Sequence, residues 1–169
     1  MKYLSFKDKY TFTLYLVEGD FTVEKVIKVN PVERILEGLK TTTMRMKRLQ
    51  LRLHQVRQGN YKKPIKASFQ LKILKVEPRQ FNSLSLKEIQ SDIGLNDSEF
   101  KLIEESQGDL GDVMRFFLEK FREISGVKTF AFEDVAFLHY LEVHYVNDGN
   151  TLDKFIKNVA KPEFHESEE

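Results

Sequence analysis

Between Ile65 and Val76 the apolar residues Ala67, Phe69, Leu71 and Ile73 alternate with polar partners, which is the period of a strand with one buried face. Tyr10 to Val17 and Phe21 to Val29 are rich in β-branched and aromatic residues and are separated by the turn residues Gly19-Asp20. They read as a hairpin. Val135 to Val146 reads as a long closing strand, broken by Asp148-Gly149. The helical signals are equally local. Asn30 caps a short helix with Pro31 in its first position, Glu33 as a capping-box partner, and Val32, Ile35 and Leu36 on one face. Gly38 is placed to end it in a left-handed turn. Ser85-Leu-Lys-Glu88 opens a second helix ended by Gly94, and Asn96-Asp-Ser-Glu99 opens a third running through Glu105. A fourth spans about Asp109 to Ile124, with Val113, Phe117 and Phe121 on one face and Gly126 beyond it.

Two segments are less regular. Thr41, Thr43 and Arg45 fall on one side of an extended piece, with Thr42 and Met44 on the other. Arg48 to Arg57 mixes basic and apolar residues before the turn Gln58-Gly59-Asn60. A short amphipathic piece, Leu152 to Val159, and an acidic tail after Lys161 follow the last strand. The fold class expected is α+β in one domain, because 169 residues with 41% hydrophobic content and fourteen Phe supply a substantial core.

Charge changes this picture most. Gly38 to Val76 holds eleven Lys and Arg and no Asp or Glu, whereas residues 77 to 169 hold ten basic and twenty acidic groups, so a formal charge near +1 hides a dipolar chain. A concentrated positive field attracts phosphates and releases counterions, which points to an anionic partner such as nucleic acid. The other reading is that the acidic part folds back on the basic part. No apolar run is long enough to span a bilayer, and the first residues lack the apolar core of a secretory signal, so a cytoplasmic protein with no membrane partner is expected. The absence of cysteine excludes disulfides, thiolate catalysis and Cys-based metal sites. His139 and His144 lie five apart on one strand and so face opposite ways, His54 and His165 are isolated, and no metal or other cofactor is expected. Neither a phosphate-binding Gly-rich loop nor a Gly-x-Ser-x-Gly elbow is present, which removes nucleoside triphosphatase and serine-hydrolase readings.

The sharpest motif is Gly38-Leu-Lys-Thr-Thr-Thr-Met-Arg45, where a glycine, a lysine, hydroxyls and an arginine converge at the start of the basic stretch. It follows the C-terminal end of a helix, so phosphate affinity there must come from side chains. Arg48 extends the basic surface, and Tyr61 beside Lys62 and Lys63 could stack on a base or pack as an ordinary turn tyrosine.

The order helix, Gly-x-Lys-Thr-x-Thr-x-Arg, strand, helices, closing strand resembles the ASCH family, and Gly38, Lys40, Thr41, Thr43 and Arg45 occupy every fixed position of its motif. The resemblance covers roughly residues 28 to 146. It implies a PUA-like mixed β-barrel with flanking helices, residues 1 to 27 being a hairpin extension packed on that domain and 147 to 169 a short helix and acidic tail. It also implies a basic cleft that binds RNA or a nucleotide-like ligand through Gly38, Lys40, Thr41, Thr43, Arg45, Arg48, Tyr61, Lys62 and Lys63. Some members instead remove the acyl group from acetylated cytidine. That alternative makes Thr43 the hydroxyl, Lys40 the activating amine and a later glutamate, Glu104 or Glu105 ahead of Gly108, the orienting acid, with Asp92 before Gly94 a lesser candidate. A protein-interaction module is the third reading. The oligomeric state is left open.

Overall fold

The structure, a computed structural model, describes residues 3–59 and 69–145. It is an α+β fold with seven strands and four helices among those residues. Strands β1 (Tyr3–Phe6), β5 (Leu53–Gln58), β6 (Phe69–Gln80), β7 (Val135–Tyr145) and β4 (Thr42–Arg45) form one sheet in the order β1-β5-β6-β7-β4. Strands β2 (Tyr10–Glu18) and β3 (Phe21–Val29) form a separate antiparallel ribbon. Helices α1 (Pro31–Leu36), α2 (Leu86–Ile93), α3 (Asp97–Gln107) and α4 (Leu110–Ser125) complete the described chain.

Local chemistry sets the helix ends. The Asn30 side chain accepts from the amides of Val32 and Glu33, and Ser85 and Asn96 each make a full capping box, with Glu88 and Glu99. Such caps satisfy amides that would otherwise lack acceptors in the first turn. Gly38 turns left-handed at φ 79°, so the amides of Leu39 and Lys40 both fold back onto the Arg34 carbonyl. That turn feeds Lys40 directly into β4.

Strand β6 continues through Pro78 to Gln80. Proline is tolerated there because β5 pairs with β6 only as far as Lys72, so the Pro78 nitrogen faces no neighbouring strand. A bulge between Ile73 and Lys75 sets Leu74 out of register with β7, and Leu74 is exposed.

The core has two parts. Phe12, Leu14, Ile27 and Val29 of the ribbon pack with Met44, Leu138 and the buried faces of α2, α3 and α4. Leu4, Phe6 and Val56 pack with Val32, Leu36 and Leu71 in the second cluster. Ala136 and Leu138 contribute to the first and Phe137 to the second, as alternation along β7 requires. Within residues 3 to 27, β1 is a strand of the main sheet, parallel to β5, and the ribbon shares the larger cluster.

A closed barrel is not formed among the described residues, since β1 and β4 remain the two edges of the five-stranded sheet. The edges nevertheless curl toward each other. Arg45, the last residue of β4, donates from Nη2 to the carbonyl of Ser5 on β1 at 2.7 Å. No helix among the described residues is long and apolar enough to cross a membrane. Residues 147 to 169, read above as a short helix and acidic tail, lie outside the described residues, as do Tyr61, Lys62 and Lys63.

Candidate anion-binding cleft

A cleft of about 1170 Å³ opens where the two sheet edges approach, lined by Phe6 of β1 and by Lys40, Thr43 and Arg45 of the motif segment. Lys40 is buried, only 3% exposed. Its Nζ donates to the Thr42 carbonyl at 2.8 Å and to the Asp92 carbonyl. An ammonium has three N–H donors, so one has no acceptor among the described residues. Burial is the main reason the Lys40 pKa falls to about 8, with the Arg45 charge adding to the fall and Asp92 opposing it.

Arg45 sits two residues on, on the same face as Thr43. Its Nε donates to Thr43 Oγ1 at 3.1 Å while Nη2 reaches Ser5. Nη1 has no acceptor among the described residues, and neither Arg45 nor Lys40 has a carboxylate oxygen within 4.0 Å there. Both cations instead lie over the Phe6 ring, 4.9 Å from its centroid for Arg45 and 5.8 Å for Lys40. A ring face attracts cations without neutralising them.

Asp92 on α2 is the acid closest in effect. Its carboxylate accepts from the Thr42 hydroxyl at 2.8 Å, which docks α2 against β4. Tyr10, at the start of β2, also lines the cleft, and burial lifts its pKa to about 12. His139, fully buried opposite Thr43 on β7, accepts from the Leu49 amide at Nε2 (2.9 Å). Its Nδ1 therefore carries the proton toward the carbonyls of Phe137 at 2.9 Å and Thr43 at 3.2 Å. That pairing fixes the β4 backbone, and burial keeps the imidazole pKa below its usual value.

The cleft joins Lys40, Thr43 and Arg45 and leaves out several other expected residues. Gly38 and Thr41 are exposed and serve the chain path, the Thr41 amide donating to the Ser91 carbonyl. Arg48 is exposed and does not line the cleft. Glu104 and Glu105 lie on α3 and line no part of it either; Asp8 and Asp92 are its acids among the described residues. Phe6, Tyr10 and Lys120 were not signalled by the sequence, because each arrives from an element far along the chain. Asp92 lies on α2 one position before Ile93, so its spacing from Ile89 puts it on that helix's buried stripe, which is the one local hint of its role.

Comparison with protein-family models, with curated proteins and with solved structures gives no match to the chain. The reading of the cleft therefore rests on its chemistry.

Proposed function

We propose that the chain binds RNA or a nucleotide-like ligand, with an anionic group of that ligand held by Lys40, Thr43 and Arg45. The observation that carries this reading is the pair of cations set over Phe6 with spare N–H donors and no carboxylate partner among the described residues. Buried charge without a partner is costly, and an incoming oxyanion would supply the missing acceptors. An arginine beside a lysine and a hydroxyl matches the several oxygens of a phosphate. Lys7, Lys9 and Lys47 line the same cleft and are exposed, which extends the positive field toward solvent. A PUA-like architecture belongs to the same proposal, and the approach of the two sheet edges through Arg45 and Ser5 supports it.

The test is binding of mixed single-stranded RNA and of mononucleotides at two salt concentrations. Affinity that falls with salt, and falls further in Lys40→Met and Arg45→Met, supports the reading. Binding indifferent to salt and to both substitutions would remove it.

A second reading, removal of an acyl group from an acetylated cytidine, draws on one observation. With its pKa near 8, Lys40 is partly neutral at mildly alkaline pH and available as a base. Asp92, whose carboxylate bonds Thr42, would be the nearby acid in place of Glu104 or Glu105. Release of acetate by the purified chain, abolished in Lys40→Met, is the result that would favour it.

A further inference from the structure

Beyond the motif residues, the cleft has a different character. Phe81 and Leu84 reach it from the turn after β6, Ile89 and Ile93 from α2, and Phe121 and Ile124 from the last turns of α4. On α4 the lining positions Phe117, Lys120, Phe121 and Ile124 follow the i, i+3, i+4, i+7 spacing of one helix face, so that face is turned toward the cleft. Most of these residues are buried in the larger core cluster. The space they border therefore reaches the edge of the core, while the exposed Lys7, Lys9 and Lys47 line its open side.

The volume matters here. About 1170 Å³ exceeds the roughly 300–1,000 Å³ that holds a drug-sized ligand, while the anion anchor uses only Lys40, Thr43, Arg45 and the ring of Phe6. Lys120 Nζ, which could have placed a second charge in the space, is instead tied to the Thr11 carbonyl at 2.6 Å and lies 4.9 Å from the Phe12 ring. Apart from Lys120 and Ser125, the α4 side of the cleft is lined by apolar side chains.

We infer that the cleft has two compartments and takes an amphiphilic phosphate ester: the phosphate sits on Lys40, Thr43 and Arg45, and an extended hydrocarbon or aryl group enters the apolar compartment between α2 and α4. This rests on the anion anchor proposed above and replaces the nucleoside part of that ligand with an apolar group, so the two ligand classes compete for one site. The continuity of a cationic anchor with an apolar recess is what selects an amphiphile over a bare anion or a neutral hydrophobe, since either of those would satisfy one compartment and leave the other in contact with water.

The test compares methyl phosphate, octyl phosphate and octanol by calorimetry on the full chain, the octyl compounds below their aggregation concentrations. Octyl phosphate is expected to bind about tenfold or more tightly than methyl phosphate, from burial of its chain. Ile124→Trp, which fills the recess, should erase that gain with methyl phosphate affinity unchanged, and thermal melting shows whether the variant is folded. Should it not fold, Val127→Trp, at a position lining the cleft just beyond α4, and competition replace it: octanol should displace octyl phosphate but not methyl phosphate. Equal affinity for the two phosphates would overturn the apolar compartment, even with Arg45→Met still weakening both. If Arg45→Met changes neither phosphate while octanol binds as well as octyl phosphate, the anion anchor has failed instead, and the amphiphile assignment fails with it.

Discussion

The Nζ of Lys40 donates to the backbone carbonyl of Asp92, while the Asp92 carboxylate turns away to accept from the Thr42 hydroxyl at 2.8 Å. The lysine is thus fixed by neutral acceptors, and its charge is only partly offset. This has a consequence in pH. Burial lowers the Lys40 pKa from 10.5 to about 8, so between those values the unfolded chain holds a proton that the folded chain has lost, and stability from this group rises with pH. Below about 8 both states are charged and the cost of burying the charge is fully present. Tyr10 and Tyr140 act in the opposite sense above pH 10, because both are raised to about 12 when folded. Thermal melts from pH 8 to 10 should show a rising contribution that Lys40→Met removes.

Ligand affinity should move the other way. The oxyanion is held by the charged amine, so phosphate affinity is expected to rise as the ester gains its second charge at about pH 6 and to fall as pH rises through about 8. In Lys40→Met it should be weak and lack that fall. A titration of methyl phosphate at several pH values checks this; an unchanged profile in the variant would place the pH dependence elsewhere.

Arg45 separates anchor from scaffold. Its partners are the Thr43 hydroxyl and the Ser5 carbonyl, not an acid, so truncation leaves no unpaired carboxylate behind. Arg45→Lys keeps the charge but loses the planar fork, and should weaken phosphate binding by roughly tenfold or more while costing only about 1 kcal/mol of stability, the usual scale of one hydrogen bond. Parallel calorimetry and thermal melts on the same variant decide it. A large loss of stability with affinity intact would mean that Arg45 ties the sheet edges and does not meet the ligand.

Two glycines with similar backbone angles should respond very differently to alanine. Gly94 and Gly126 both close helices at positive φ, 90° and 76°. A Cβ on Gly126 meets nothing within 4 Å, whereas one on Gly94 would stand 2.7 Å from Arg34 Cβ and 2.9 Å from Lys40 Cβ. Those neighbours are anchored to backbone and cannot swing aside. Gly126→Ala should therefore cost only the left-handed strain, about 1–2 kcal/mol, and Gly94→Ala clearly more, with loss of phosphate affinity because Lys40 must shift. Denaturant unfolding and phosphate titration of both variants test the contrast.

What the sequence made legible was local. Asn30, Ser85 and Asn96 cap with their side chains, Glu88 and Glu99 close the boxes of the last two while Glu33 closes none at α1, and Gly38 turns left-handed as its position after Leu36 implies. Alternation also put Thr43 and Arg45 on one face, where they are hydrogen-bonded. The rest depends on distant pairing. Strand β1 has four residues and pairs with the distant β5, Tyr3 standing opposite Gln55, so no periodicity marks it. Without β1 there is no Phe6 under Lys40 and Arg45 and no second edge to the cleft. Asp92 ranks below Glu104 and Glu105 on sequence grounds, since spacing alone does not show that α2, and not α3, docks on β4.

The contact between α1 and α3 gives the last expectation. Arg34 grips Glu99 with both ends of its guanidinium, Nη1 to Oε1 at 2.5 Å and Nη2 to Oε2 at 2.9 Å, and Nη1 also donates to the Gly94 carbonyl at 3.1 Å. Glu99 is at the same time the capping-box acid of α3, its Oε1 accepting from the Asn96 amide at 2.9 Å. The two side chains are 12% and 17% exposed, so the pair is largely shielded from water and removing one partner costs more than it does at a surface bridge. Arg34→Ala leaves Glu99 still needed for the cap but without its cation, at a cost of about 2–3 kcal/mol. Arg34→Lys keeps a charge but not the two-pronged geometry, and should recover only part of that. Because Arg34 does not line the large cleft, phosphate affinity measured well below the melting temperature should survive both substitutions. Chemical denaturation alongside phosphate titration checks both halves: stability unaffected by Arg34→Ala would show that the α1–α3 pair contributes nothing net, and affinity lost at full folding would show that the pair sets the position of Lys40 through Gly94.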